Sequence, residues 1–269
     1  MTKAEMYFIE NYEKDQLIEN SLYLGDCLEL MQKIKDCSID MILCDLPYGV
    51  LNKPKNKWDS VIPFEPLWEQ YERIIKNNGA IVLFGQGIFT ADLITSNKKM
   101  WRYNLVWKKA ERTSGFLNAN RMPMRNHEDI IVFYKKQPTY NPQKTTGHKP
   151  SHKKGKKALE GEVNNCYGDF TVFENRDYGD EKFPKSVINI DKEHPSIFPT
   201  QKPVALCEWL IKTYTNENEL VLDNCAGSGS SVLACQNTNR RWLAIESDKN
   251  HFGLSKSRIE ENYSLRMAV

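Results

Sequence analysis

No two of the seven cysteines, at positions 27, 37, 44, 166, 207, 225 and 235, stand in a CxxC or Cys/His spacing. That lack argues against a zinc site or a disulfide framework and for free, mostly buried thiols in a reducing compartment. No apolar run approaches the ~20 residues that cross a bilayer, and the N-terminus carries no apolar core of signal type. A cytoplasmic protein without membrane contact is expected. There is no internal repeat. Formal net charge is only +2, so affinity for a polyanion has to come from local clustering of charge rather than from the whole chain.

One local absence is pronounced. Residues 130–159 contain no acid, yet Lys135, Lys136, Lys144, Lys149, Lys153, Lys154, Lys156 and Lys157 all fall there. A lysine run is often only a solvated face. Eight lysines without one acid point instead to a surface for phosphates.

Hydrophobic residues make up 40% and charged residues 27% of 269, an ordinary soluble composition with room for one α/β domain and an insertion. Short apolar runs at 22–24, 41–44, 80–84, 103–107, 130–134, 220–222 and 242–245 predict strands. Helical patterns at 28–34, 64–76, 88–97, 203–215 and 230–238 alternate with them, as in a mostly parallel sheet. Pro203 suits a first helical turn. No apolar helix separates 103–107 from 130–134, so an antiparallel pair at one edge is expected. Phe64, Leu67, Trp68 and Tyr71 have the spacing of a buried helix face.

Two loops carry chemistry. Asp223-Asn224-Cys225-Ala226-Gly227-Ser228-Gly229 follows one strand and opens a helix. Glycines there let backbone pass close to a ligand, and Glu246, ending the next strand, can accept from ribose hydroxyls. A dinucleotide loop would want a third glycine where Val232 stands, so a cofactor of adenosine and methionine fits better. The second loop, Asp45-Leu46-Pro47-Tyr48-Gly49, follows Met41-Ile42-Leu43-Cys44 at the C-terminal end of a strand, where open α/β sheets bind ligands. An amine on an aromatic ring is a poor nucleophile because the ring holds its lone pair. Asp45 and a backbone carbonyl of Leu46 or Pro47 can accept its two N–H bonds, and Tyr48 can stack on an extruded base for ~1–3 kcal/mol. Direct displacement at a sulfonium methyl then needs alignment, not an enzyme nucleophile. No proline is followed by cysteine, the pair familiar from methylation at cytosine C5.

In this order the loops resemble the amino-methylating DNA methyltransferases of the permuted (β) class. Asp45 to Tyr48 is similar to that family's Asp-Pro-Pro-Tyr motif and Asp223 to Gly229 to its Asp-Pro-Phe-x-Gly-x-Gly motif. The segment from His194 to Pro203 resembles its His-Pro-Thr-Gln-Lys-Pro stretch with an insertion. The resemblance implies a Rossmann-like class I methyltransferase fold of circularly permuted motif order: a twisted, mostly parallel, seven-stranded sheet with helices on both faces. Strands 22–24 and 242–245 would then be neighbours. The resemblance further implies S-adenosylmethionine as cofactor. Asp45, Asp223, Ala226, Gly227, Gly229, Thr200 and Lys202 would lie around its methionine part, Glu246 at the ribose and Asp26 at the adenine amine. Asp45, Pro47 and Tyr48 would hold the target base. Leu46 for proline leaves the carbonyl in place; Cys225 stands where the family has a phenylalanine against the cofactor.

The expected division is 1–136 and 191–269 as two halves of the methyltransferase domain, with 137–190 a target-recognition insertion. Beyond Lys153, Lys154, Lys156 and Lys157, the loop of about twenty residues between strands 103–107 and 130–134 offers Lys108, Asn120, Arg121 and Arg125 to phosphates or to the orphaned base. His127 and Glu128 read as structural capping, and Trp58-Asp59 as part of a lid over the cofactor. No metal is expected. DNA is the expected partner, and the family leaves room for a cognate restriction endonuclease and a homodimer. An acid at the head of the clamp favours adenine N6; cytosine N4 enzymes of the family more often begin with serine. RNA, or a silent binding subunit with an eroded clamp or glycine loop, are the rival readings.

Overall fold

A computed structural model describes residues 6–13, 15–51, 58–109, 113–147, 180–194, 196, 198 and 200–267. The seven expected strands are all present: β2 (Ser21–Leu24), β3 (Ile39–Cys44), β4 (Ile75–Gly85), β5 (Trp101–Lys108), β6 (His127–Phe133), β8 (Leu220–Asp223) and β9 (Arg241–Glu246). Two three-residue strands, β1 (Tyr7–Ile9) and β7 (Val187–Asn189), extend the expected seven to nine, ordered β1-β2-β9-β8-β3-β4-β6-β5-β7. From β1 to β4 every pairing is parallel, and β2 and β9 lie side by side as permuted order requires. The turn of direction comes at β6, antiparallel to both β4 and β5. The edge beyond β5 is closed by β7, parallel to it.

Period-two alternation divides the core between the two faces. Met41, Leu43, Val82, Phe84, Ile130 and Val132 pack on one side; Ile42, Cys44, Ile81, Leu83, Ile131 and Phe133 pack on the other. The first side is covered by α4 (Val204–Tyr214), α5 (Ser230–Asn237) and α6 (Lys249–Met267), through Leu206, Leu210, Val232, Phe252 and Ile259. The second is covered by α1 (Cys27–Met31), α2 (Phe64–Ile74) and α3 (Ile88–Ser96), through Met31, Leu67, Trp68, Tyr71, Phe89 and Leu93. Leu67, Trp68 and Tyr71 are core residues, as their spacing predicts. Pro203 sits one residue earlier than expected, as the extended N-cap of α4. Of the six described cysteines, all free, Cys37 is exposed rather than buried.

Residues 142–185 form a second compact unit, and β7 belongs to the main one although it falls inside 137–190. Within that second unit, Thr145 and Lys182 exchange two backbone hydrogen bonds of 3.0 and 2.9 Å, and Lys144 pairs with Glu181 at 2.7 Å. Lys153, Lys154, Lys156 and Lys157 lie outside the described residues. Among the described residues no helix is long and apolar enough to cross a membrane.

Candidate functional site

The C-terminal ends of β2, β3, β8 and β9 meet at a cavity of about 590 Å³, in the size range of small-molecule sites. Asp26, Asp45, Pro47, Tyr48, Thr200, Lys202, Asp223, Ala226, Gly227 and Glu246 all line it, although 220 residues of sequence separate the first from the last. Gly229 stands behind them as the N-cap of α5. Gly227 and Gly229 have φ of +53° and +74°, backbone that a side chain would strain. At Gly229 a Cβ would also come within 3.4 Å of Ile259.

The glycine loop is held by the acids on either side. Glu246 Oε2 accepts from the Gly227 N–H at 2.7 Å, and its other oxygen from the Asp248 N–H at 2.8 Å. Asp223 accepts from the Cys225 N–H at 3.1 Å and from the Ser231 hydroxyl. Burial pushes the Asp223 carboxyl up to about 6 and raises that of Glu246, in each case against these hydrogen bonds. Asp26 has one oxygen engaged by the Leu28 and Glu29 N–H groups, at 2.8 and 3.2 Å, as the N-cap of α1.

Asp45 is the centre of a chain of charges. The Tyr48 hydroxyl donates to its Oδ1 at 2.9 Å, and Lys202 Nζ lies 2.5 Å from its Oδ2. Lys202, expected beside the cofactor's methionine part, is thus committed to Asp45 and, at 3.3 Å, to Glu128. Glu128 in turn binds Lys109 at 2.5 Å. Both lysines are almost fully buried. Burial raises the Asp45 carboxyl more than Lys202 lowers it. Burial works the same way on Glu128, but there Lys202 and Lys109 win and hold the carboxyl low. Lys202 is raised because Asp45 and Glu128 outweigh its own desolvation.

Glu128 and Lys109 line the same cavity, a placing that sequence reasoning missed. Glu128 read as structural capping, and its partners are distant in sequence. Asp59 lines it too. It is buried, and its carboxylate accepts from the backbone N–H groups of Tyr48, Gly49 and Leu51 at 3.0, 3.2 and 2.5 Å. It therefore fixes the path of the chain just after the clamp. Trp58 joins Phe198 and His251 in an aromatic cluster on the cavity wall, with ring centroids 4.5–5.9 Å apart. Phe89 stacks on Tyr48 at 4.7 Å. Lys108, Asn120, Arg121 and Arg125 are exposed, and Arg125 alone of these lines the cavity.

Acids facing a cavity suit a cationic ligand, an aromatic cluster suits a purine, and a loop without Cβ atoms suits close approach. An adenosine carrying a sulfonium has those three features, so the residues present fit S-adenosylmethionine.

Comparison with known proteins agrees. A family model described as DNA methylase, covering enzymes of the N6 and N4 type, matches residues 39–257. The chain is 24% identical to the type II methyltransferase M.HpaI of Haemophilus parainfluenzae, over 92% of this chain and 76% of that protein. It is 27% identical to M.BglII of Bacillus subtilis, over 88% and 68%. Among solved structures it is similar to the M1.HpyAVI–SAM complex, with TM-score 0.56, 23% identity and coverage of 88% and 98%. It is also similar to the cytosine-N4-specific PvuII DNA methyltransferase, with TM-score 0.63, 16% identity and 93% of both chains covered.

Proposed function

Since the chain belongs to the N6/N4 family of DNA methylases, we propose that it methylates adenine N6 on a base turned out of the duplex. The family makes it an S-adenosylmethionine-dependent DNA methyltransferase acting on adenine N6 or cytosine N4. The observation carrying the finer reading is the acid at the head of the clamp, Asp45, in one cavity with the glycine loop.

In this reading Asp45 accepts one amine N–H and the Leu46 carbonyl the other. Both pull the nitrogen lone pair out of conjugation with the ring. Lys202 holds Asp45 Oδ2 and offsets the desolvation that would otherwise neutralise the carboxylate. Tyr48, braced by Phe89, gives the base an aromatic surface. The bound cofactor supplies an electrophilic methyl on a sulfonium. The nitrogen that takes this methyl must shed one proton, and Asp45 is the acceptor facing it. Glu246 and Asp26 hold the adenosine against the aromatic cluster of Trp58, Phe198 and His251, which replaces the surface lost with Cys225. Asp223, Ala226, Gly227, Gly229 and Thr200 surround the methionine part. Lys202 serves Asp45 instead.

Cytosine N4 is the alternative, because that amine presents the same two N–H donors to the same clamp. Nucleoside mass spectrometry decides between them, on unmethylated mixed-sequence DNA incubated with the protein and S-adenosylmethionine. N6-methyladenine is the expected product. N4-methylcytosine would overturn the choice of base and keep the chemistry; neither product would overturn the reading.

A further inference from the structure

The loop between β5 and β6 carries apolar side chains with nothing to bury them. Phe116 is 73% and Leu117 85% exposed, with Met122 and Met124 also exposed later in the loop. Leaving a Phe and a Leu in water forgoes roughly 1.5–3 kcal/mol each, so such a patch marks a surface that something covers.

The tip is shaped, not loose. Gly115, at φ +86°, turns the chain into a 3₁₀ turn over Phe116–Asn118. The Asn118, Ala119, Arg121 and Met122 N–H groups then bond back to Gly115, Phe116 and Asn118 carbonyls at 2.8–3.1 Å. At the base of the loop, Ser114 and Arg125 exchange backbone hydrogen bonds of 2.7 and 3.0 Å, and both line the cavity that holds Asp45. The loop therefore rises from the rim of the site, with Phe116 two residues beyond Ser114. Residues 113–126 contain no acid, and Asn118, Asn120, Arg121, Arg125 and Asn126 follow the apolar pair. Apolar tip, basic shoulders and amides suit a polyanion with an apolar interior.

We propose that Phe116 and Leu117 form a wedge that enters the DNA base stack at the step vacated by the target base. The proposal rests on the reading that this enzyme acts on an extruded base. Extrusion costs a few kcal/mol of lost stacking and pairing. An apolar side chain between the remaining bases recovers part of that cost, while the arginines hold the adjacent phosphates.

The double variant F116A/L117A tests it, since both side chains point to solvent and their loss leaves the core untouched. Methyl transfer is compared on two duplexes carrying the enzyme's mapped site, one fully paired and one with an abasic position opposite the target. The variant is expected to lose about tenfold or more in kcat/KM on the paired duplex and at most about threefold on the weakened one. Its Kd for S-adenosylmethionine and its Tm should match wild type. With 2-aminopurine at the target, the fluorescence rise on binding should shrink for the variant on paired DNA.

No loss on paired DNA, or an equal loss on both duplexes, would overturn the wedge while leaving the methyltransferase reading in place. An equal loss together with dissociation of a dimer on gel filtration would make the patch an interface between two copies, which also overturns it. Wild-type protein that methylates neither duplex would remove the premise and the wedge together.

Discussion

Asp223 binds the glycine loop at a measurable cost. Burial lifts its carboxyl to about 6, from ~3.9 in an unfolded chain. Between those values the folded protein holds a proton that the unfolded chain has released. Its burial therefore destabilises the fold at pH 7, and the penalty is relieved as pH falls from 7 toward 4. In Asp223→Asn that dependence is absent. The stability of wild type relative to the variant should improve by about 2 kcal/mol between pH 8 and pH 4.5, read from denaturation midpoints. A constant difference would place the Asp223 carboxyl near its ordinary range. At this scale Asp45, Tyr48, Asp223 and Glu246 were legible in the sequence, because each sits at a fixed offset from an apolar strand. Glu128 and Lys109 were not, and Asp59 was read as part of a lid, without its hold on the clamp. Their importance lies in partners 8 to 74 positions away, which only folding brings within 3.3 Å.

The clamp loop after β3 is an element with little structure of its own. Three of its backbone N–H groups, those of Tyr48, Gly49 and Leu51, donate to one carboxylate, Asp59. Asp59→Ala leaves the Tyr48, Gly49 and Leu51 N–H groups without that acceptor. A loss of about 2–4 kcal/mol in urea unfolding is expected, along with slower methyl transfer because Tyr48 is no longer held. Unchanged stability and turnover would show that the loop keeps its path without Asp59. The strands of the sheet interior announced themselves as apolar runs buried on both faces. β1 and β7 did not, since three residues are too few for a pattern. The long α6 was missed as well. It buries only Phe252, Ser255 and Ile259, a stripe too narrow to stand out against a polar helix.

For the whole molecule, permuted order places the clamp strand and the glycine-loop strand side by side, β3 against β8, from opposite ends of the chain. The fold class and the pairing of β2 with β9 were readable from two motifs in reversed order, whereas the pairing of β3 with β8 was not foreseen. The lysine run belongs to this scale too. Replacing Lys153, Lys154, Lys156 and Lys157 together by alanine should weaken DNA binding and flatten its log K against log salt slope by about 3–4. An unchanged slope would make the run a bystander.

The central claim is that Asp45 acts on the amine while the rest of the cavity holds the cofactor. Single-turnover methyl transfer by Asp45→Ala, at saturating S-adenosylmethionine and DNA, tests it most directly. The rate should fall by about 10²–10³-fold, as when a preorganised polar group at a reacting centre is lost, with cofactor Kd nearly unchanged. Near-normal transfer by a folded Asp45→Ala protein would contradict the account.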